Sequence, residues 1–226
     1  MKRASHFLTE EDRKTISEAV AEAEKNTSGE IVPAIATVSG RYDRAEDIAG
    51  LALALAAVTL SWTLFQDIRF PEGDWTAGPR IALGLLPCLV IILMGFAAGS
   101  ALASYVPVLR RPFIARKEMD EEVERRAHEV FARERVRGTT GGTGILIYVS
   151  LYERIVRVLP DDAIAGKISQ AEWNAVRDLV LDGIKTEHPG QGFTQAVLKC
   201  GELLKEHFPI EPGDVNELTN ELRILD

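Results

Sequence analysis

Polar and apolar positions along the chain fall into two regimes. Most of the sequence mixes charged and apolar residues at helical or strand spacing, but Ile48 to Phe65 and Ile81 to about Leu109 are uncharged apolar runs. A hydrocarbon core about 30 Å thick takes roughly 20 residues of helix, and lipid offers backbone groups no alternative partner. The runs are therefore predicted to be two spanning helices, over about 48–66 and 81–103, forming a transmembrane hairpin. Two crossings return the chain to its starting side. Residues 1–45 and 110–226 are then expected to build one split domain, with 46–109 inserted into it.

The flanking sequence reads as an α/β fold. Thr9 is a predicted N-cap with Asp12 three residues on, and Ile16, Ala19, Val20 and Ala23 repeat at helical spacing. Glu30 to Val38 reads as a strand apolar on both faces, with Pro33 pointing to an edge position or a bulge. After the hairpin, Met119, Val123, Ala127 and Val130 or Phe131 form the stripe of a charged helix. Ile145–Val149 and Arg154–Leu159 are so close that they can only pair as an antiparallel hairpin. Ser169 and Glu172 form a capping box before the stripe Trp173, Val176, Val180, Ile184, which His188-Pro189-Gly190 stops. A last helix carries Phe193, Ala196, Val197, Cys200 and Leu204. The expected architecture is an α/β/α sandwich around a small mixed sheet.

Composition narrows the function. Removing about 60 residues for the hairpin leaves about 165, enough for one domain with a sizeable core. The net charge of −8 and the lack of Lys/Arg clusters interleaved with aromatics speak against nucleic acid. Cys88 and Cys200 indicate no disulfide framework, and the first 40 residues lack a signal-peptide layout. Near the helix ends, Arg41, Arg44, Arg110, Arg111, Arg116 and Lys117 face Arg69 and Arg80 in the connecting loop. Six against two predicts a two-pass protein of the plasma (inner) membrane with both termini cytoplasmic. Trp62, Phe70 and Trp75 read as interfacial anchors, and Gly95 and Gly99 have the spacing of close helix packing.

Spacing alone yields no catalytic constellation. The turn Gly138–Gly144 follows a helix and opens a strand, the reverse of a phosphate loop. His6, His128, His188 and His207 are scattered, and Ser150 lacks a nucleophile-elbow context. Carboxylates offer more. Glu30 opens the first strand, Glu153 lies in the hairpin connection, and Asp161-Asp162 closes the second hairpin strand. If these ends converge, Glu30, Asp161 and Asp162 are the expected oxygen ligands of calcium or magnesium.

Phe7-Leu8-Thr9, Ala23-Glu24, Thr27-Ser28-Gly29-Glu30-Ile31, Tyr42, Thr143 to Leu151, Glu153-Arg154, Asp161, Trp173, Phe208-Pro209 and Asn216-Glu217-Leu218 together resemble the TPM-domain family. The order of the motifs is similar to a membrane-bound branch in which two spanning helices interrupt the domain. The resemblance implies an α/β/α sandwich, divalent-cation binding in some members and acid-phosphatase activity in a few, while others serve photosystem repair or assist membrane proteins. Two positions depart from the pattern. Gly142-Thr143 stands where many relatives place Asp or Asn before the strand-opening glycine, and Asp161-Asp162-Ala163-Ile164 replaces Asp-x-Gly-Ile. The expected function is a membrane-anchored binding or auxiliary module whose partners are the lipid bilayer and another membrane protein; the alternative is a metal-dependent acid-phosphatase-like hydrolase. A transport pore is disfavoured because the hairpin has no intramembrane charge.

Overall fold

The computed structural model describes residues 3–65, 83–139, 141–210 and 213–226. Phe70, Trp75 and the start of the second apolar run at Ile81 lie outside the described residues. The elements in order are α1 (Glu10–Glu24), β1 (Glu30–Ala36), α2 (Asp43–Phe65), α3 (Leu85–Tyr105), α4 (Pro107–Arg110), α5 (Arg116–Arg133), β2 (Gly144–Ser150), β3 (Ile155–Pro160), α6 (Asp162–Ala165), α7 (Gln170–Lys185), α8 (Pro189–His207) and β4 (Arg223–Leu225). They divide into two units, one spanning Arg41–Arg116 and the other combining Lys2–Gly40 with Lys117–Asp226.

The second unit holds a mixed four-stranded sheet in the order β3-β2-β1-β4. β1 runs parallel to β2, with Glu30 opposite Gly144, and parallel to β4; β3 returns antiparallel to β2. β1 is thus interior, and the edge or bulge expected from Pro33 is not what the fold uses. β4 pairs only with Ala34–Ala36, one residue beyond Pro33, so the ring that lacks an N–H lies outside that ladder. Three residues of strand are too few for periodicity to reveal, which is why β1 reads as an edge in the sequence. β1 also ends at Ala36, two residues earlier than the apolar run implies.

Alternation along the strands sorts side chains to two buried faces. Ile31, Ile35, Ile145, Ile147, Val149 and Val156 join one core with Ile16 and Val20 of α1, Val176 and Val180 of α7, and Phe193, Val197 and Leu204 of α8. On the other face, Arg157 of β3 reaches Glu124 (2.9 Å) and Asp120 (3.2 Å) of α5. The α5 stripe Met119, Val123, Ala127, Val130 and Phe131 is buried. Both predicted capping boxes form, Thr9 with Asp12 and Ser169 with Glu172. The result is an α/β/α sandwich.

The Arg41–Arg116 unit has the opposite burial pattern. α2 and α3 are each long and apolar enough to cross a membrane, and only 11% and 6% of their most apolar stretches are buried within the protein. They approach at small residues, Gly50 against Gly99 and Ala54 against Gly95. A β-carbon on Gly99 would lie 2.8 Å from the Gly50 Cα, so only glycine permits this approach. At one end Glu46 accepts from Ser104 (2.6 Å) and pairs with Arg110, whose guanidinium lies over the Tyr42 ring.

Candidate functional site

The sheet's topology decides which predicted ligands meet. Parallel β1 and β2 bring their first residues, Glu30 and Gly144, to one end, and antiparallel β3 delivers its last residue there. The Asp161 amide donates to the Gly144 carbonyl (2.8 Å), which fixes Asp161 beside the start of β2. Glu30, Asp161 and Asp162 therefore share an end of the sheet. Glu153 does not: the β2–β3 turn carries it to the opposite end, and that part of the expected convergence fails.

Each carboxylate at the shared end has its own engagement. Asp161 caps α6 by accepting from the Asp162 amide (2.8 Å), with Arg137 Nε 3.8 Å away. Asp162 takes the Arg137 Nη2 at 2.6 Å. Glu30 Oε1 accepts from the Glu217 amide (2.8 Å), while its buried Oε2 finds no hydrogen-bond partner among the described residues. Burial pushes the Glu30 carboxyl above its ordinary range. Glu24, at the end of α1, accepts from the Ile31 amide (2.9 Å) and from Asn216 Nδ2 (3.2 Å). Burial, and behind it the Glu30 charge, pushes Glu24 up to about 8. Two acids from opposite ends of one sequence turn thus hold the Asn216–Leu218 segment that leads to β4. Sequence spacing did not single out Glu24; only its place in a quoted motif could have drawn attention to it.

Next to Asp161 opens a cleft of about 670 Å³ lined by His128, Arg135, Arg137, Pro160 and Asp162 among others. Arg135 takes the left-handed conformation (φ 57°) just past α5, so it and Arg137 lie beyond that helix. The Gly138–Gly144 turn is structural, with Gly142 at φ 60° and Thr143 Oγ1 donating to the Ser28 carbonyl (2.6 Å); Thr140 lies outside the described residues. Guanidinium and carboxylate groups side by side can orient a polar or anionic ligand. Among the described residues, no serine, threonine or cysteine nucleophile lines the cleft. Among the described residues, no group of three or more His, Cys, Asp or Glu is placed to hold a metal ion, and the Arg137 contacts occupy the carboxylates best positioned for one.

The far end of the sheet carries a polar network that the sequence did not reveal. Ser39 Oγ donates to Ser150 Oγ (2.7 Å) and pairs with Tyr148 Oη (2.8 Å). Ser150 donates to Glu153 Oε2, and Glu153 Oε1 accepts from the Ser39 and Gly40 amides (3.0 and 3.3 Å). A serine hydroxyl on a carboxylate resembles an activated nucleophile, but Ser150 is 1% and Glu153 0% exposed. No substrate reaches them, and the network instead ties the chain after β1 to the β2–β3 turn.

Residues 113–203 match the model of the TPM domain. The chain is similar to the NMR structure of BA42 protein from the psychrophilic bacterium Bizionia argentinensis, at 21% identity over 99% of each chain with a TM-score of 0.55; at that identity the likeness speaks for the fold. No curated protein matches the sequence. The sheet and its helical layers agree with that fold, and within it residues 113–203 carry the match to the TPM domain.

Proposed function

We propose that the chain is a membrane-anchored TPM-domain module that binds and assists another membrane protein, with α2 and α3 spanning the plasma (inner) membrane as a two-pass hairpin and both termini cytoplasmic. The observation that carries this reading is the inverted burial of α2 and α3, small residues inward and large apolar ones outward, within a chain whose cleft beside Asp161 has no nucleophile among the described residues. The excess of basic residues at the hairpin's base, Arg110, Arg111 and Arg116 among them, supports the orientation. Crosslinking in intact membranes followed by purification in mild detergent tests it. The expected result is one membrane protein recovered in near-stoichiometric amount and lost when α2 and α3 are replaced by unrelated spanning helices. Recovery of the chain alone overturns the auxiliary role.

A second reading, an acid-phosphatase-like hydrolase, is favoured by Arg135, Arg137 and His128 beside Asp161 in one cleft. Guanidinium groups are apt partners for phosphate. Hydrolysis of a generic phosphomonoester, with and without calcium or magnesium, decides between the two. Turnover abolished by Arg137→Ala supports the hydrolase, and none in any condition removes it.

A further inference from the structure

The cleft beside Asp161 joins two kinds of surface. Phe131, near the end of α5, is buried, and Leu159 and Pro160, at the end of β3, are half-buried, so the inner wall is apolar. His128, Arg135, Arg137 and Asp162 line it from exposed positions. A volume of about 670 Å³ lies in the range of pockets that take a small ligand or the end of a peptide.

The charged groups of the cleft are unequally engaged. Arg137 serves Asp162 (2.6 Å) and Asp161 (3.8 Å), and His128 lies on Glu124 (3.1 Å). The Arg135 guanidinium has no ion pair or hydrogen bond among the described residues. Its backbone is held left-handed two residues past α5, the Arg135 amide donating to the Ala132 carbonyl (3.2 Å) and the Gly138 amide to the Arg135 carbonyl (2.7 Å). Glycine is the residue that suits this place. A long cation stands there instead, and no contact of its side chain among the described residues offsets the strain. Strain of this kind collects where a side chain serves a ligand. Arg135 and Arg137 against Asp161 and Asp162 leave no excess charge for a phosphate dianion, whereas one free guanidinium fork suits one carboxylate. In a chain-terminal residue the carboxylate and the side chain branch from one Cα, so an apolar last residue can place the first on Arg135 and the second against Phe131. Capture of such ends is a recurring mode of peptide recognition.

We propose that this cleft binds the carboxy-terminal end of a partner chain, an apolar last residue against Phe131, Leu159 and Pro160 and its carboxylate on Arg135. The proposal rests on the reading of this chain as a binding module and adds the chemistry that its cleft recognises. The test is fluorescence anisotropy of the full chain in mild detergent with a fluorescein-labelled Gly-Ser-Gly-Ser-Leu-Leu peptide ending in a free carboxylate, and with the same peptide amidated. The free acid is expected to bind about tenfold more tightly, the ratio that one hydrogen bond to a charged group gives. Arg135→Gln should abolish the difference, and Arg177→Gln on α7 should keep it. Arg135→Gly should abolish it too while raising the melting temperature by about 3 °C, because glycine takes the left-handed conformation without strain; an arginine needed for the fold would lose stability instead. Equal binding of acid and amide, binding of neither, or a preference that survives Arg135→Gln overturns the proposal. Displacement of the peptide by phenyl phosphate more readily than by N-acetylleucine overturns it in favour of a phosphate ligand. A membrane partner recovered equally by the parent and by Arg135→Gln removes this site and leaves the auxiliary role standing, whereas recovery of the chain alone, with the acid peptide still preferred, removes that role and leaves the site.

Discussion

The helix pairs α2–α3 and α7–α8 use the same contact device for opposite ends. In α7–α8, a β-carbon on Gly183 would fall 2.5 Å from the Gly192 Cα, and in α2–α3 one on Gly99 would fall 2.8 Å from the Gly50 Cα. Both pairs let backbones touch. Around the α7–α8 contact, however, the large side chains Trp173, Val176, Phe193 and Leu204 are buried and charged residues face outward. Around the α2–α3 contact the large residues Leu51, Leu55, Leu93 and Met94 are exposed. Water drives the first arrangement through burial of apolar area. Water gives no such drive for the second, since its outer surface is what a soluble protein hides; in the membrane setting proposed above, hydrocarbon would solvate that surface and leave close packing to decide the contact.

This contrast can be broken most forcefully at the level of whole segments. Replacing residues 46–109 with a Gly/Ser linker long enough to join the cut ends should leave a soluble unit that unfolds cooperatively, because loop closure costs grow slowly with length. Residues 110–226 alone lack β1, the interior strand between β2 and β4, and should aggregate. Urea unfolding and size-exclusion chromatography of the two products check this; equal stability would separate the N-terminal segment from the domain.

Single glycines give the next largest effects. Gly183→Leu should cost the α/β unit about 3 kcal/mol, lowering its melting temperature by about 10 °C, because backbone must move to admit the side chain. Gly99→Leu should leave that melting temperature unchanged while abolishing a disulfide engineered across α2 and α3. A drop in melting temperature for both variants would erase the distinction between the pairs.

A smaller effect depends on pH. Glu24 is pushed from its ordinary 4.5 up to about 8 by burial, so the native state keeps a proton that the unfolded chain has already lost. Its contribution to stability is fully present below about pH 4.5 and is lost as pH rises through about 8. Glu24→Gln, a neutral isostere, should therefore be more stable than the parent by about 1–2 kcal/mol at pH 8 to 9, allowing for partial exposure, and equal to it near pH 4.5. Denaturant melts across that range provide the check. The groups nearest to this carboxyl are Glu30, the Ile31 amide and Asn216.

The smallest expected effect concerns calcium. With Arg137 on Asp161 and Asp162, millimolar calcium should leave the melting temperature of the α/β unit within about 1 °C, since only a ligand of the folded form stabilises it by mass action. A calcium-dependent rise lost in Asp161→Asn would restore these carboxylates as ligands.

Much of this was fixed by the sequence. Local periodicity specified the stripes of α1, α5, α7 and α8, the capping boxes at Thr9 and Ser169, the antiparallel β2–β3 pair and both apolar helices, because each depends on residues within a few turns of one another. Gly95 and Gly99 likewise announced a close helix contact. Tertiary structure alone made β1 an interior strand, because β4 arrives from residues 223–225 and is too short to be read. It alone sent Glu153 to the far end of the sheet and joined it and Ser150 to Ser39, more than a hundred residues earlier in the chain. It also set Glu24 beside Glu30 against Asn216–Leu218. Such groupings depend on strand direction and chain crossing, which no local pattern encodes, whereas helix faces and caps are decided by neighbours in the chain.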